Sequence, residues 1–195
     1  MKKIIFLIAI VVGFNCYAQT ATDSTSSSLS KKHELKLGGI KLLAGGIFEG
    51  TYEYIYTNDF TFGASALVNF DQSNNYGEDF SFTPYARVYF QDEKRYKARG
   101  FFIEGSAKYV NGHHTDYYYV NQYDPVNGYY ITSEEYQKRA DYNVAALGLA
   151  VGMKWINRSG FVFEILLGAG RNITGNNDVV PEAFFRGDFN LGYRF

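Results

Sequence analysis

Residues 182–195 read EAFFRGDFNLGYRF. In an extended chain Ala183, Phe185, Gly187, Phe189, Leu191, Tyr193 and Phe195 share one face. Phe184, Arg186, Asp188, Asn190, Gly192 and Arg194 share the other. One face is mainly apolar and aromatic, and the other carries three charges. Alternation with a period of two marks a strand between two unlike environments. Here it holds in register to the last residue, Phe195.

The pattern recurs upstream. Phe60, Phe62, Ala64, Ala66, Val68 and Phe70 oppose Thr61, Gly63, Ser65, Leu67 and Asn69. Residues Phe82 to Phe90, Phe101 to Tyr109, Asn143 to Trp155 and Phe161 to Ala169 repeat it, and Phe48 to Tyr56 sets Tyr52, Tyr54 and Tyr56 against Glu49, Thr51 and Glu53. A first strand is expected over Glu34 to Leu43, with Gly38-Gly39 marking a bulge. Segments of about 9–11 alternating residues are long enough for a tilted strand to cross a bilayer. Short connections (Thr57-Asn58-Asp59, Asp92 to Arg99, Asn157 to Gly160) alternate with longer ones (Asp71 to Asp79, Gly112 to Asp141, Thr174 to Pro181). Transmembrane barrels pair short periplasmic turns with longer external loops in this way. The expected fold is all-β: an eight-stranded antiparallel up-and-down transmembrane β-barrel. A lipocalin-like barrel would reverse the two faces, with the apolar one inside. Here the bulky apolar face is the fuller one, and the polar face is thinned by Gly, Ser and Ala, which suits a narrow interior. A two-sheet sandwich is the third reading.

The N-terminus supplies the export signal that such a barrel needs. Lys2 and Lys3 precede the apolar run Ile4 to Phe14, and Cys16-Tyr17-Ala18 offers a cleavage site after Ala18. The run is shorter than the roughly 20 apolar residues of a membrane-spanning helix. The expected organisation is a signal peptide at 1–18, a Ser/Thr-rich disordered periplasmic linker at 19–33 and a barrel at 34–195. A lipid-modified Cys16 competes, but Phe14 and Asn15 stand where small residues belong. With the cut after Ala18 the chain keeps no cysteine, so thiol and disulfide chemistry are excluded.

The composition agrees with this organisation. The chain has 18 Tyr, 17 Phe and 20 Gly beside 3 Pro; aromatics favour strands, and Gly favours turns and crowded interiors. The formal net charge is -1, which gives no basic excess for nucleic acid.

Residues Ile40 to Phe70 read IKLLAGGIFEGTYEYIYTNDFTFGASALVNF. With the terminal LGYRF and a signal ending in Ala-Gln, the chain resembles the small outer-membrane β-barrels of Bacteroidetes, similar in architecture to the OmpX and OmpA-barrel type. The resemblance covers most of the chain after the signal. It implies an integral outer-membrane location, with outer-membrane lipid, lipopolysaccharide and the insertion machinery as partners. Insertion signals of proteobacterial barrels often carry Gly where this chain has Asn190, with its own Gly at Gly192.

Three groups of residues are candidates for function. The polar faces collect Lys41, Glu49, Glu53, Arg87, Glu104, Lys108, Lys154, Glu164, Arg171, Arg186, Asp188 and Arg194. In so narrow a barrel these charges must pair, giving a salt-bridged plug; the sharper alternative is a gated ion path. The Gly112 to Asp141 connection carries Tyr117, Tyr118, Tyr119, Tyr123, Tyr129, Tyr130 and Tyr136 among small polar residues. Binding loops use that composition, which points to an unknown extracellular ligand, although the same rings would serve an aromatic girdle on a protruding sheet. His113 and His114, near Asp116 and Asp124, lack a recognised metal-ligand spacing. Neither a serine–histidine hydrolase signature nor a cofactor motif is present. Asn157-Arg158-Ser159 is a glycosylation triplet that has meaning only in a eukaryotic secretory setting. The expectation is a non-enzymatic barrel that is structural or surface-binding. Transport of a small or apolar solute and lipid modification are the alternatives.

Overall fold

The computed structural model describes residues 31–71, 76–90, 97–125, 127–175 and 182–195. The expected signal peptide, and the linker up to residue 30, lie outside these. Within them, eight strands close into one antiparallel barrel in sequence order: β1 (His33–Gly38), β2 (Ile47–Ile55), β3 (Phe60–Asn69), β4 (Glu78–Phe90), β5 (Gly100–Asp124), β6 (Tyr129–Ile156), β7 (Phe161–Asn172) and β8 (Ala183–Arg194). The last strand seals the barrel against the first, from Glu34 opposite Arg194 to Gly38 opposite Asn190. Backbone bonds between His33 and Phe195, 2.8 and 3.2 Å long, extend that seam to the last residue.

Alternation does what the sequence requires of it. Inward residues are buried and outward ones exposed along β4, β7 and most of β8. The outer wall carries Leu35, Phe62, Val88, Ile103, Leu149, Val151, Ile165 and Leu191, each at least 42% exposed. Around the end that carries the short turns, outward rings meet across neighbouring strands. Tyr54 lies 5.3 Å from Phe62, Trp155 5.4 Å from Phe163, and Phe161 5.6 Å from Tyr193. The turn end is therefore ringed by aromatics.

One connection differs from the sequence expectation. The first strand stops at Gly38, and Gly39–Gly45 forms a short helix, α1, in place of the strand expected up to Leu43. Gly46, at φ 65, terminates the helix in the left-handed region where Gly carries no steric penalty. The connection from Gly112 to Asp141 is a β-ribbon, the protruding sheet that the sequence reading carried as one of its two alternatives. Pairing of β5 with β6 continues from His113 opposite Asp141 to Asp124 opposite Tyr129, with one bulge between Tyr118 and Tyr119.

At the turn end the barrel has a floor. Ala98, at φ 48 and fully buried, hydrogen-bonds through its N–H to the Asn58 carbonyl. With Ile55, Tyr89, Phe102, Ala150 and Leu166 it forms an apolar stopper. Gly152 makes this packing possible, because a Cβ there would lie 2.4 Å from the Phe102 ring.

Candidate functional site

The lumen above this floor holds the charges. Glu34, Lys36, Glu53, Arg87, Glu104, Lys154, Glu164 and Arg194 are all 0–1% exposed. Each sits on an inward position of its strand, so alternation alone brings eight ionised groups into a space wide enough only for side chains. An isolated buried charge would be prohibitively costly, and each of these has partners. Arg87 is a hub: its guanidinium donates to Glu53 (2.7 Å), Glu104 (2.7 Å) and both carboxylate oxygens of Glu164 (2.7 and 3.1 Å). Lys36 donates to Glu53 (2.5 Å) and Glu164 (2.7 Å), and Lys154 to Glu34 (2.8 Å) and Glu53 (2.7 Å). Arg194 holds Glu34 at 2.5 Å and donates to the carbonyls of Lys97 and Ala98, which ties the lattice to the floor. Hydroxyls complete the shell. Tyr89 and Tyr85 both donate to Glu53, and the Asn190 amide donates to Glu164.

The lattice continues upward. Arg186 approaches Glu104 at 3.0 Å and Glu49 at 3.9 Å; Lys41 donates to Glu49 and lies 3.8 Å from Asp188. One connected chain thus runs from Arg194 at the floor to Asp188 beneath α1. Its cations Lys36, Lys41, Arg87, Lys154, Arg186 and Arg194 match its anions Glu34, Glu49, Glu53, Glu104, Glu164 and Asp188 one for one. Nearer the mouth Lys108 and Glu78 form a separate pair at 2.5 Å.

Of the twelve charges expected in the lumen, eleven lie there. Arg171 does not: it is 81% exposed, and its one ion-pair partner among the described residues is Glu182, at 3.9 Å. Its odd number places it with Phe161, Phe163 and Ile165 on the outer face of β7, so the parity of its own strand excludes it from the interior. The sequence reading missed Glu34 and Lys36, which are central to the lattice. Both belong to β1, whose alternation lasts six residues before the chain turns into α1. Leu35 and Leu37, both exposed, against the buried Glu34 and Lys36 were the available signal.

At the ribbon's base the His113 ring lies 3.0 Å from Asp79, which also meets Arg139 at 3.5 Å. No three potential metal ligands cluster among the described residues. Tyr123 is 52% exposed. The side chains of Tyr117, Tyr118, Tyr119, Tyr129, Tyr130 and Tyr136 lie outside the described set, although their backbones pair in the ribbon.

Fold and site together define a class: a closed eight-stranded barrel with an ion-paired interior and an apolar, aromatic-ringed exterior. No family model and no curated protein matches the chain. Among solved structures it is similar to the crystal structure of the N-terminal β-barrel domain of Pseudomonas aeruginosa OprF. That alignment covers 87% of this chain and 100% of that one, at 13% identity and a TM-score of 0.48.

Proposed function

We propose that this chain is an integral outer-membrane barrel without catalytic activity, which keeps its lumen shut and presents the β5–β6 ribbon outside the cell. The inverted polarity of the barrel carries the reading. The buried side is a lattice of paired charges, and the solvent-accessible side is a belt of Leu, Ile, Val and Phe with a girdle of Tyr, Phe and Trp at the turn end. In water such a belt would be a large exposed apolar patch; in a bilayer it matches the solvent on that side. The paired charges and the apolar floor leave an ion no hydrated path.

Planar-bilayer recordings of the purified protein should show no regular single-channel steps. Reproducible steps abolished by Glu164→Gln would overturn the closed-lumen reading. A refolded chain that stays monodisperse in buffer without detergent would overturn the membrane reading. The ribbon, which extends the sheet beyond the barrel and exposes Tyr123, suits a contact role toward an extracellular ligand. Deleting residues 113–140 should abolish surface binding and leave insertion intact.

A further inference from the structure

The two ends of the barrel carry opposite charge. At the turn end, Lys31-Lys32 and the connections Thr57-Asn58-Asp59, Asp92 to Arg99 and Asn157 to Gly160 hold seven Lys and Arg against three acidic residues. At the other end, the connections Asp71 to Asp79, Gly112 to Asp141 and Thr174 to Pro181 hold nine acidic residues against two Lys and Arg. The lattice between them has as many cations as anions, so the asymmetry stands.

Among the described residues the positive charge lies on one arc, from the start of β5 through β6, β7 and β8 to β1. Arg99 precedes Gly100, which pairs with Lys154; one step along the ladder, the position opposite Arg99 is that of Trp155. Both residues line an apolar depression of the outer wall together with Phe161, Phe163 and Tyr193. The exposed Arg158 stands in the turn from β6 to β7, between Trp155 and Phe161 in the chain. The Gly160 carbonyl accepts the Arg194 N–H at 2.8 Å and holds that turn against the end of β8. The Lys31 ammonium lies over the Tyr193 ring, 5.3 Å from its centre. Its backbone is anchored next door, where the Lys32 carbonyl accepts the Ile55 N–H at 2.8 Å. Asp59, the one acidic side chain at this end among the described residues, is off the arc in the turn between β2 and β3. Four inter-strand spacings, about 19 Å, separate β5 from β1. Three cations on such an arc stand on the order of a Debye length apart, so their fields add.

We propose that this arc binds anionic phospholipid, with Lys31, Arg99 and Arg158 meeting the headgroup phosphates and the girdle rings beside them packing on the acyl chains. The proposal rests on the membrane reading above. The depth of the cations selects lipid over a partner further from the barrel. Lys31 and Arg99 stand beside Tyr193 and Trp155, and amphipathic rings of that kind take the headgroup level of a bilayer. Each Lys or Arg at that level favours anionic lipid several-fold. The acidic connections of the other end repel the same headgroups, so the binding is one-sided.

The test uses the chain refolded in phosphatidylcholine vesicles that contain either phosphatidylglycerol or phosphatidylcholine with brominated acyl chains. Trp155 is the only tryptophan and stands on the arc, so its quenching by bromine reports which lipid lies there. Brominated phosphatidylglycerol should quench at a roughly fivefold lower mole fraction than brominated phosphatidylcholine. In 1 M salt, where the Debye length is about 3 Å, that preference should fall toward one. Arg99→Gln should lower it in dilute salt, and Lys31→Gln, Arg99→Gln and Arg158→Gln together should abolish it. Arg171→Gln, at an exposed cation of the loop end, should leave it unchanged. Equal quenching by the two lipids overturns the proposal. A preference that survives the triple variant overturns the assignment to these cations, and one lost in Arg171→Gln overturns its place on the barrel. Equal quenching by a chain that sediments with isolated peptidoglycan, and ceases to do so in the triple variant, would make the arc a cell-wall contact in place of a lipid site. Failure to insert into any vesicle would instead strike the membrane reading.

Discussion

The two halves of this lumen use the same side chains to different ends. At the turn end Arg87, Lys36 and Lys154 each bridge two or three carboxylates, and Tyr85, Tyr89 and Asn190 add further donors. At the loop end Lys108 pairs, among the described residues, with Glu78 alone, and a helix replaces part of the wall. Burial alone does not separate the halves, since Lys108 is only 8% exposed. They differ in how many partners each charge has. A multiply bridged lattice cannot lose one member without stranding several, whereas a lone pair strands one. Rigidity is therefore concentrated where the barrel is closed, and adaptability where its wall is interrupted.

Arg87→Met tests the lattice most severely. It removes the cation shared by Glu53, Glu104 and Glu164 and leaves like charges facing each other in a buried interior. Breaking a buried pair typically costs about 3–5 kcal/mol, and this change breaks three contacts. Urea unfolding in phospholipid vesicles, followed by the fluorescence of Trp155, should show a loss at or above that range. A loss below about 1 kcal/mol would mean that the lattice is not the rigid half.

A smaller effect is expected from packing in the same half. At Gly152 a Cβ would meet the Phe102 ring at 2.4 Å and the Ile165 carbonyl at 2.5 Å. The ring can shift only into the floor it helps to form, and the backbone oxygen cannot shift without bending β7. Gly152→Ala should therefore cost about 1–3 kcal/mol, the usual range for overpacking, in the same unfolding assay. Tolerance without loss would show that the floor has slack.

Most of this architecture was legible in the sequence wherever the chain separates lipid from a packed interior. The facing of Phe185, Phe189 and Leu191 against Arg186, Asp188 and Arg194 in β8 is the clearest case. Legibility failed where that contrast lapses. Beyond Gly112 the two strands leave the barrel, and nothing forces apolar and polar residues to alternate. Residues 117–124, YYYVNQYD, therefore left a contact loop and a protruding sheet equally open, and they pair in a ladder. In β1 the contrast is present but too brief, so Glu34 and Lys36 were passed over while Gly38-Gly39 suggested a bulge. Arg171 was misplaced for a different reason: it was grouped by its charge and not by the parity of its strand. The pairing of particular charges, such as Lys36 with Glu164 across the lumen, depends on barrel closure and stagger, which no single strand encodes.

The mildest of the three changes bears directly on the contrast between the halves. Lys108→Met removes one cation from one anion near the mouth, where the Glu78 side chain keeps 16% exposure. That side chain keeps some contact with solvent, whereas Glu164 in the lattice is fully buried. The methionine replaces the stem that already packs near the Phe184 ring, 5.0 Å from the Lys108 nitrogen, so little packing is lost. The expected cost in the urea assay is below that of Arg87→Met, because one carboxylate is stranded and not three. Were the two losses equal, the number of partners would not be what distinguishes the halves, and the loop end would be as rigid as the floor. Were the gap as large as expected, the loop end could lose a pair and still stand, and the number of partners would be what sets the two halves apart.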